Sequence, residues 1–457
     1  MNLSKTRTLR QKILSAGTWI IGGYFANQII RLMSNLIMTR LLVPEMFGVM
    51  ALANVLYVGL HMISDVGLSQ SVIQSKRGDD PIFLNTVWTV QIARGVLISF
   101  FGWCLALLIY LFNKAGIWVS GSVYTDPLLP LIIATISINA IISGFESTKL
   151  ATANRNLVLS KVVLIDLLSQ AVSLIVMISW AYFTRSIWAL VYGSLIYSLL
   201  RSILSHQLLP GLKNDFLWDK QSFSEIFHFG KWVFLTSILG FFSLNGDRIL
   251  LGGMVDAKTL GFYAIAFFMV SAILDVFSKI YGSVAFPALS EVVRERPHGL
   301  KNTYYKFRAP VDALSLFSAG LLFVAGHLLI QVFYDDRYLA AGSMLEILSI
   351  SLLEIRYGLA SQCYIALGKP KLLAPIITVR LIALYALMPL AYMHYGFNGA
   401  LWIAGGSALF TIPLTIIYKI RYGLFDFKKE LFGVPWLIAG VVLGMLVSYA
   451  ANKFIFN

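Results

Sequence analysis

The sequence predicts an all-α polytopic membrane protein made of two six-helix transmembrane bundles, with one extra helix at the C-terminus. Three observations predict it. Hydrophobic residues fill 58% of the 457 positions and charged residues only 13%, about half the charge of a typical soluble domain. The apolar residues gather in runs long enough to cross a bilayer, which takes about 20 residues of helix. The charges gather in the short segments between those runs.

The runs can be placed in order. The basic start, with Lys5, Arg7, Arg10 and Lys12, leads straight into the first run. That run is too long for a signal peptide and lacks a small-residue cleavage pattern, so a retained first helix is expected. Spans are expected at 13–39, 45–73, 84–112, 126–148, 160–183 and 186–207. After a polar stretch they resume at 225–252, 258–287, 307–333, 338–366, 372–394 and 397–419, and 432–451 is long enough to be a thirteenth. The implied organisation is an N-terminal six-helix lobe at 1–208, a cytoplasmic linker at 209–224, a C-terminal six-helix lobe at 225–420, and a basic loop with the extra helix at 421–457. The linker holds the turn-forming segment from Pro210 to Lys220. The basic stretch from Pro287 to Arg308 is expected to lie partly as a helix on the cytoplasmic lipid surface.

Charge sets the orientation. The net charge of +14 would suggest nucleic acid in a soluble chain. Here positive-inside topology explains it, and no nucleic-acid partner is expected. With the N-terminus in the cytoplasm, 23 of the 36 Lys and Arg residues fall in inside segments and 6 in outside segments. The extra helix would then put Asn457 outside. Cys104 and Cys363 lie within apolar runs and read as small core residues, with no disulfide or metal framework.

The two halves share a weak repeat. At an offset of 213, Gly17 meets Gly230, Trp19 meets Trp232, Gly48 meets Gly261, Ala51 meets Ala264 and Ala53 meets Ala266. With six spans each, the halves would form a parallel repeat, related by an axis along the membrane normal.

Charges inside the spans suggest a wet interior shared by the two bundles, a central cavity, because a charge facing lipid is expensive. The basic residues are Arg31, Arg94, Lys231, Arg248, Lys279, Arg356 and Arg380, and acidic company includes Asp65, Glu146, Asp166, Asp247, Asp312 and Glu354. Asn27, Arg31 and Asn35 fall on one helical face, as do Gln91 and Arg94. Asn27, Asn35 and Gln91 are therefore candidate polar cavity lining. Arg94, Arg356 and Arg380 sit near mid-span. With Arg31 they form a candidate cationic cavity, since a guanidinium stays charged and grips phosphate with a fork of donors. Asp65 and Asp166 could bind a proton or sodium ion, or could pair with the arginines. No glycine-rich phosphate loop, Gly-x-Ser-x-Gly elbow, His-Glu-x-x-His or Cys-x-x-Cys motif occurs, so nothing points to a soluble enzyme.

The run from Thr39 to Ala53, TRLLVPEMFGVMALA, resembles the first outside turn and second helix of bacterial polysaccharide flippases of the Wzx type. The segment from Asp65 to Gln74, DVGLSQSVIQ, continues the likeness. In the second half, Asp247-Arg-Ile-Leu-Leu-Gly252 and Leu260-Gly-Phe-Tyr-Ala264 are similar to the matching family motif, so the resemblance assigns Asp247 and Arg248 to that motif. It runs from about residue 10 to 420 and extends to the multidrug/oligosaccharidyl-lipid/polysaccharide exporter superfamily. It implies two lobes around a cavity open alternately to each side, and no enzymatic role. It implies export of an undecaprenyl-diphosphate-linked oligosaccharide across the bacterial inner membrane for O-antigen, capsule or exopolysaccharide. A H+ or Na+ gradient would drive it, no other cofactor is implied, and a polysaccharide polymerase and chain-length regulator would be partners. A lipid II flippase, a multidrug cation antiporter and a membrane glycan polymerase or ligase stay open as alternatives.

Overall fold

The computed structural model describes residues 9–156 and 158–454, with side chains except at 9–18, 20, 21, 228–233, 235, 236, 283, 297, 452 and 454. Lys5, Arg7, Arg10, Lys12, Lys231 and Asn457, and the Gly17, Gly230 and Trp232 matches of the repeat, therefore lie outside the described side chains. Among the described residues the regular structure is entirely helical. Two compact units meet between Phe241 and Phe242.

The N-terminal unit contains α1 (Leu9–Leu41), α2 (Pro44–Ile63), α3 (Leu68–Gln74), α4 (Pro81–Lys114), α5 (Leu129–Gly144), α6 (Lys149–Arg155), α7 (Leu159–Thr184), α8 (Trp188–Gln207) and the first part of α9 (Lys220–Met254). The expected single span 45–73 is broken. The Asp65 carboxylate accepts from the Gly67 amide at 3.0 Å, and Gly67 adopts φ 63°. That turn ends α2, because only glycine takes the left-handed region without a Cβ penalty. The expected span 126–148 is α5 followed by α6 at a bend of 64°. By contrast α4 starts cleanly: Pro81 sits in its first turn and Asp80 caps it by accepting from the Ile82 amide, the favoured chemistry at a helix start.

The C-terminal unit contains the rest of α9, then α10 (Ala257–Ile280), α11 (Phe286–Glu295), α12 (Leu300–Phe333), α13 (Ala341–Leu348), α14 (Ile355–Ala366), α15 (Leu373–Ile382), α16 (Met388–Gly406), α17 (Ile412–Arg421), α18 (Phe427–Leu431) and α19 (Val434–Phe454). A helix does form in the expected surface stretch, as α11. The expected span 338–366 is interrupted by a tight 3-10 segment at Ser349–Leu353. Spans 372–394 and 397–419 form one helical run with its corner at Gly396, φ 61°. The extra helix α19 is fastened to α12 backbone to backbone. A Cβ on Gly440 would lie 2.2 Å from the Phe317 carbonyl oxygen, and one on Gly320 would lie 2.4 Å from that of Leu437. Small residues allow this approach, and dispersion contacts then hold the pair in lipid. The rest of α19 exposes Ile438, Met445, Leu446 and Tyr449.

The protein is thus a multi-pass, all-α membrane protein. Eight helices among the described residues are long and apolar enough to cross, or nine with α5 and α6 taken as one bent span. The run Pro370–Arg421 is one of them and covers two expected spans. The expected spans 13–39 and 225–252 are helical within α1 and α9.

Candidate functional site

The half-buried charges of the N-terminal unit gather at the interruptions of its helices. α2 ends at Ile63, leaving carbonyls without helical partners, and Arg94 on α4 meets that end. Its Nη2 donates to the His61 carbonyl at 2.7 Å and lies 3.3 Å from the His61 ring, while its Nε donates to Ser64 Oγ at 3.3 Å. Asp65 stands 3.9 Å away. One helical turn earlier, the Gln91 amide donates to the Ser143, Gly144 and Glu146 carbonyls at 3.0–3.1 Å. Gln91 therefore closes the end of α5 at its bend. Arg94 also walls an apolar cavity of about 790 Å³ with Leu97, Phe101, Trp218, Phe223 and Phe234.

A second group forms around Arg201 on α8. Its Nε donates to Asp166 at 2.8 Å and its Nη1 donates to Glu146. Arg201, near the end of the span expected at 186–207, was not among the candidate cavity charges. α8 carries it within reach of α7 and the α5–α6 bend. Asp166 is thus an ion-pair partner of Arg201.

On α1, Arg31 is exposed and its Nη1 donates to Gln28 at 3.1 Å. Asn27 and Asn35 are half-buried on the same helix.

The linker is not slack. Between α8 and α9 the chain runs without regular structure across the end of α4. The amides of Asp215, Leu217 and Asp219 donate to Asn85, Thr89 and Thr86 at 3.0–3.2 Å. Asn214 is buried, bonded to Ser147 and Thr148, and the Phe216 ring packs on Trp88. Asp219 then receives the Ser222 hydroxyl and amide, which hold its carboxyl below the usual range.

In the C-terminal unit Arg356 lies in a dense network. Its Nη2 donates to Asp312 at 2.9 Å and to the Glu430 carbonyl at 2.7 Å. Arg308 donates through Nε to Asp312 at 3.2 Å and through both terminal nitrogens to Glu430. Lys419 also donates to Glu430, and so does the Tyr305 hydroxyl at 2.9 Å. Arg308 and Lys419, both 0% exposed, lie at the edges of the spans expected at 307–333 and 397–419 and were not among the candidate cavity charges. The i, i+4 spacing of Arg308 and Asp312 was the available signal.

Asp247 is buried and accepts from Tyr263, while Arg248 lies over the Phe267 ring at 4.1 Å and donates to Leu244 and Asn245. This motif therefore braces α9 on α10. Arg380 differs from Arg94 and Arg356 in that its guanidinium makes no ion pair and no hydrogen bond among the described residues; its Nε is buried without a partner, as is that of Arg356. Its field reaches Glu354 and Tyr263. Among the described residues no group of three His, Cys, Asp or Glu is placed to hold a metal ion.

Comparison with known proteins identifies the family. The family model described as Polysaccharide biosynthesis protein matches residues 37–343. The chain belongs to that family. Among its relatives, the Lipopolysaccharide biosynthesis protein WzxC of Escherichia coli (strain K12) is 20% identical over 355 residues, covering 75% of this chain and 67% of that protein. A candidate O-antigen transporter of Shigella flexneri is 24% identical over 414 residues, covering 85% and 93%. This polysaccharide biosynthesis protein also shares its fold with solved structures. One is the lipid II flippase MurJ in an inward closed conformation (14% identity, TM-score 0.67, 96% and 100% covered). Another is an inward-facing multidrug resistance MATE family transporter of the MOP superfamily (14% identity, TM-score 0.65, 87% and 94% covered).

Proposed function

We propose that this protein is a flippase that moves an undecaprenyl-diphosphate-linked oligosaccharide across the bacterial inner membrane by alternating access. The observation that carries the reading is the family match across two thirds of an all-helical, lipid-adapted chain, together with relatives described as a lipopolysaccharide biosynthesis protein and an O-antigen transporter. The N-terminus is cytoplasmic in this reading, and the lobes are residues 1–208 and 225–420 on either side of the linker.

Arg380 is the proposed diphosphate-binding group, because its guanidinium is not already committed to a carboxylate. Arg31, exposed on α1, is the second candidate. Arg94 and Arg356 have carboxylate and carbonyl partners and serve as fixed positive walls. A cation gradient would act at Asp65 or Asp166, where H+ or Na+ competes with an arginine for the carboxylate. The handover to a polymerase and a chain-length regulator follows on the outer face.

The test is Arg380→Ala, scored by export of surface polysaccharide at matched membrane expression. Loss of a charge-assisted bond to phosphate is expected to reduce export about 10- to 100-fold. Unchanged export would overturn Arg380 as the diphosphate-binding group.

A further inference from the structure

The proposed transport reading leaves a second cationic feature unused. A cavity of about 420 Å³ opens beside the Arg308 network, lined by Asn302, Tyr305, Lys306, Arg308, Lys429 and Phe432, with Asp312 at its back. Its size falls within the usual range for small-ligand pockets. Its charge is unbalanced. Among the described residues, Arg308, Arg356 and Lys419 in the network behind it share only Asp312 and Glu430. Among the described residues, Lys306 and Lys429 at its mouth make no ion pair within 4 Å and no side-chain hydrogen bond, and Lys429 lies over the Tyr305 ring at 5.1 Å. The nearby Asp426 pairs with Lys301 at 3.5 Å. Five cations therefore face two carboxylates.

Both carboxylates are spent inside the network. Glu430 receives Arg308, Lys419 and Tyr305; Asp312 receives Arg308 and Arg356. Buried cations behind two exposed ammonium groups leave a positive excess that lowers its free energy by taking in an anion. The donors left for it are two ammonium groups, the Asn302 amide and a remaining Arg308 N–H, a set suited to a phosphate. The rim is apolar on one side: Phe432 is 62% exposed and leads into the exposed flank of α19.

We infer that this cavity is a binding site for a phosphate-bearing anion at the membrane surface, with the phosphate between Lys306 and Lys429. The chemistry fits the headgroup of an anionic phospholipid, whose acyl chain would lie along Phe432 and α19, and it also fits free phosphate. The placement at the membrane surface rests on the positive-inside topology, and the site is separate from Arg380.

The experiment uses the full-length protein in nanodiscs and detergent. Native mass spectrometry counts retained phosphatidylglycerol against phosphatidylcholine, and a parallel arm measures thermal stabilisation by inorganic phosphate. Each lysine near an anionic lipid surface is worth about fivefold in affinity. Lys306→Ala/Lys429→Ala should therefore weaken phosphatidylglycerol retention about 25-fold. Lys220→Ala/Lys371→Ala removes the same charge elsewhere and should leave retention near its original level. Equal stabilisation by inorganic phosphate, lost in the same double variant, assigns the site to free phosphate. Equal losses in both double variants, or no loss in either arm, overturn the proposal. Export by the Lys306→Ala/Lys429→Ala protein reports on transport independently of this binding readout.

Discussion

The Arg201 group and the Arg308 network are built from the same side chains in opposite proportions. In the N-terminal unit one guanidinium serves two carboxylates, Glu146 and Asp166. In the C-terminal unit three cations serve two carboxylates, Asp312 and Glu430. The first arrangement holds α7, α8 and the α5–α6 bend through a single cation. The second is internally saturated and still positive. The difference teaches that a membrane-buried arginine does not announce a substrate site. What matters is whether the surrounding carboxylates exhaust it.

The largest effect should come from the sole cation of the first group. Arg201→Gln leaves two carboxylates facing each other and should destabilise the protein by about 3–5 kcal/mol, measured by thermal unfolding in a fixed detergent. Glu430→Gln removes half of the negative charge of the second network. Its expected cost is about 3 kcal/mol, read from the same melting curve. Arg356→Gln removes a cation from the network that has one to spare. It should cost about 1 kcal/mol, the worth of its hydrogen bonds. Should Arg356→Gln melt as early as Arg201→Gln, the contrast between the two networks would be broken.

The smallest effect sharpens the boundary between them. Asp219 caps the start of α9 with its carboxylate held below the ordinary value by Ser222. Its contribution is present in full above that ordinary value and is lost as pH falls through the lower folded one. Hydrogen exchange at the Ser222 amide should accelerate only below about pH 4, and in Asp219→Ala it should be fast at every pH. Neither network should respond to that variant.

Much of the fold was legible because lipid imposes long apolar runs, and the runs at 84–112, 160–183 and 186–207 match helices closely. The interruptions were harder to see. Gly67 and Gly396 break helices through backbone geometry, which hydropathy does not register. The site was less legible for a related reason. Arg201, Arg308 and Lys419 stand near the cytoplasmic ends of their expected spans, beside basic segments, so they were not among the candidate cavity charges, although α8, α12 and α17 carry them into packed surroundings. Arg94, Arg356 and Arg380 were legible as deep cations. Which of them is spoken for depends on residues as remote as Asp312 and Glu430, and no spacing rule reaches that far. Gln91 has the same history: its three carbonyl acceptors lie more than fifty positions along the chain.

The linker across α4 has a consequence for its permitted length. Only alternate amides, at 215, 217 and 219, face Asn85, Thr89 and Thr86. Inserting one residue after Asp215 would put the amides of Leu217 and Asp219 out of step with that of Asp215 and turn them away. Inserting two would restore their facing and add only slack. The segment therefore counts in twos: its tolerance to insertion follows parity, and an epitope placed there should be chosen with an even number of residues.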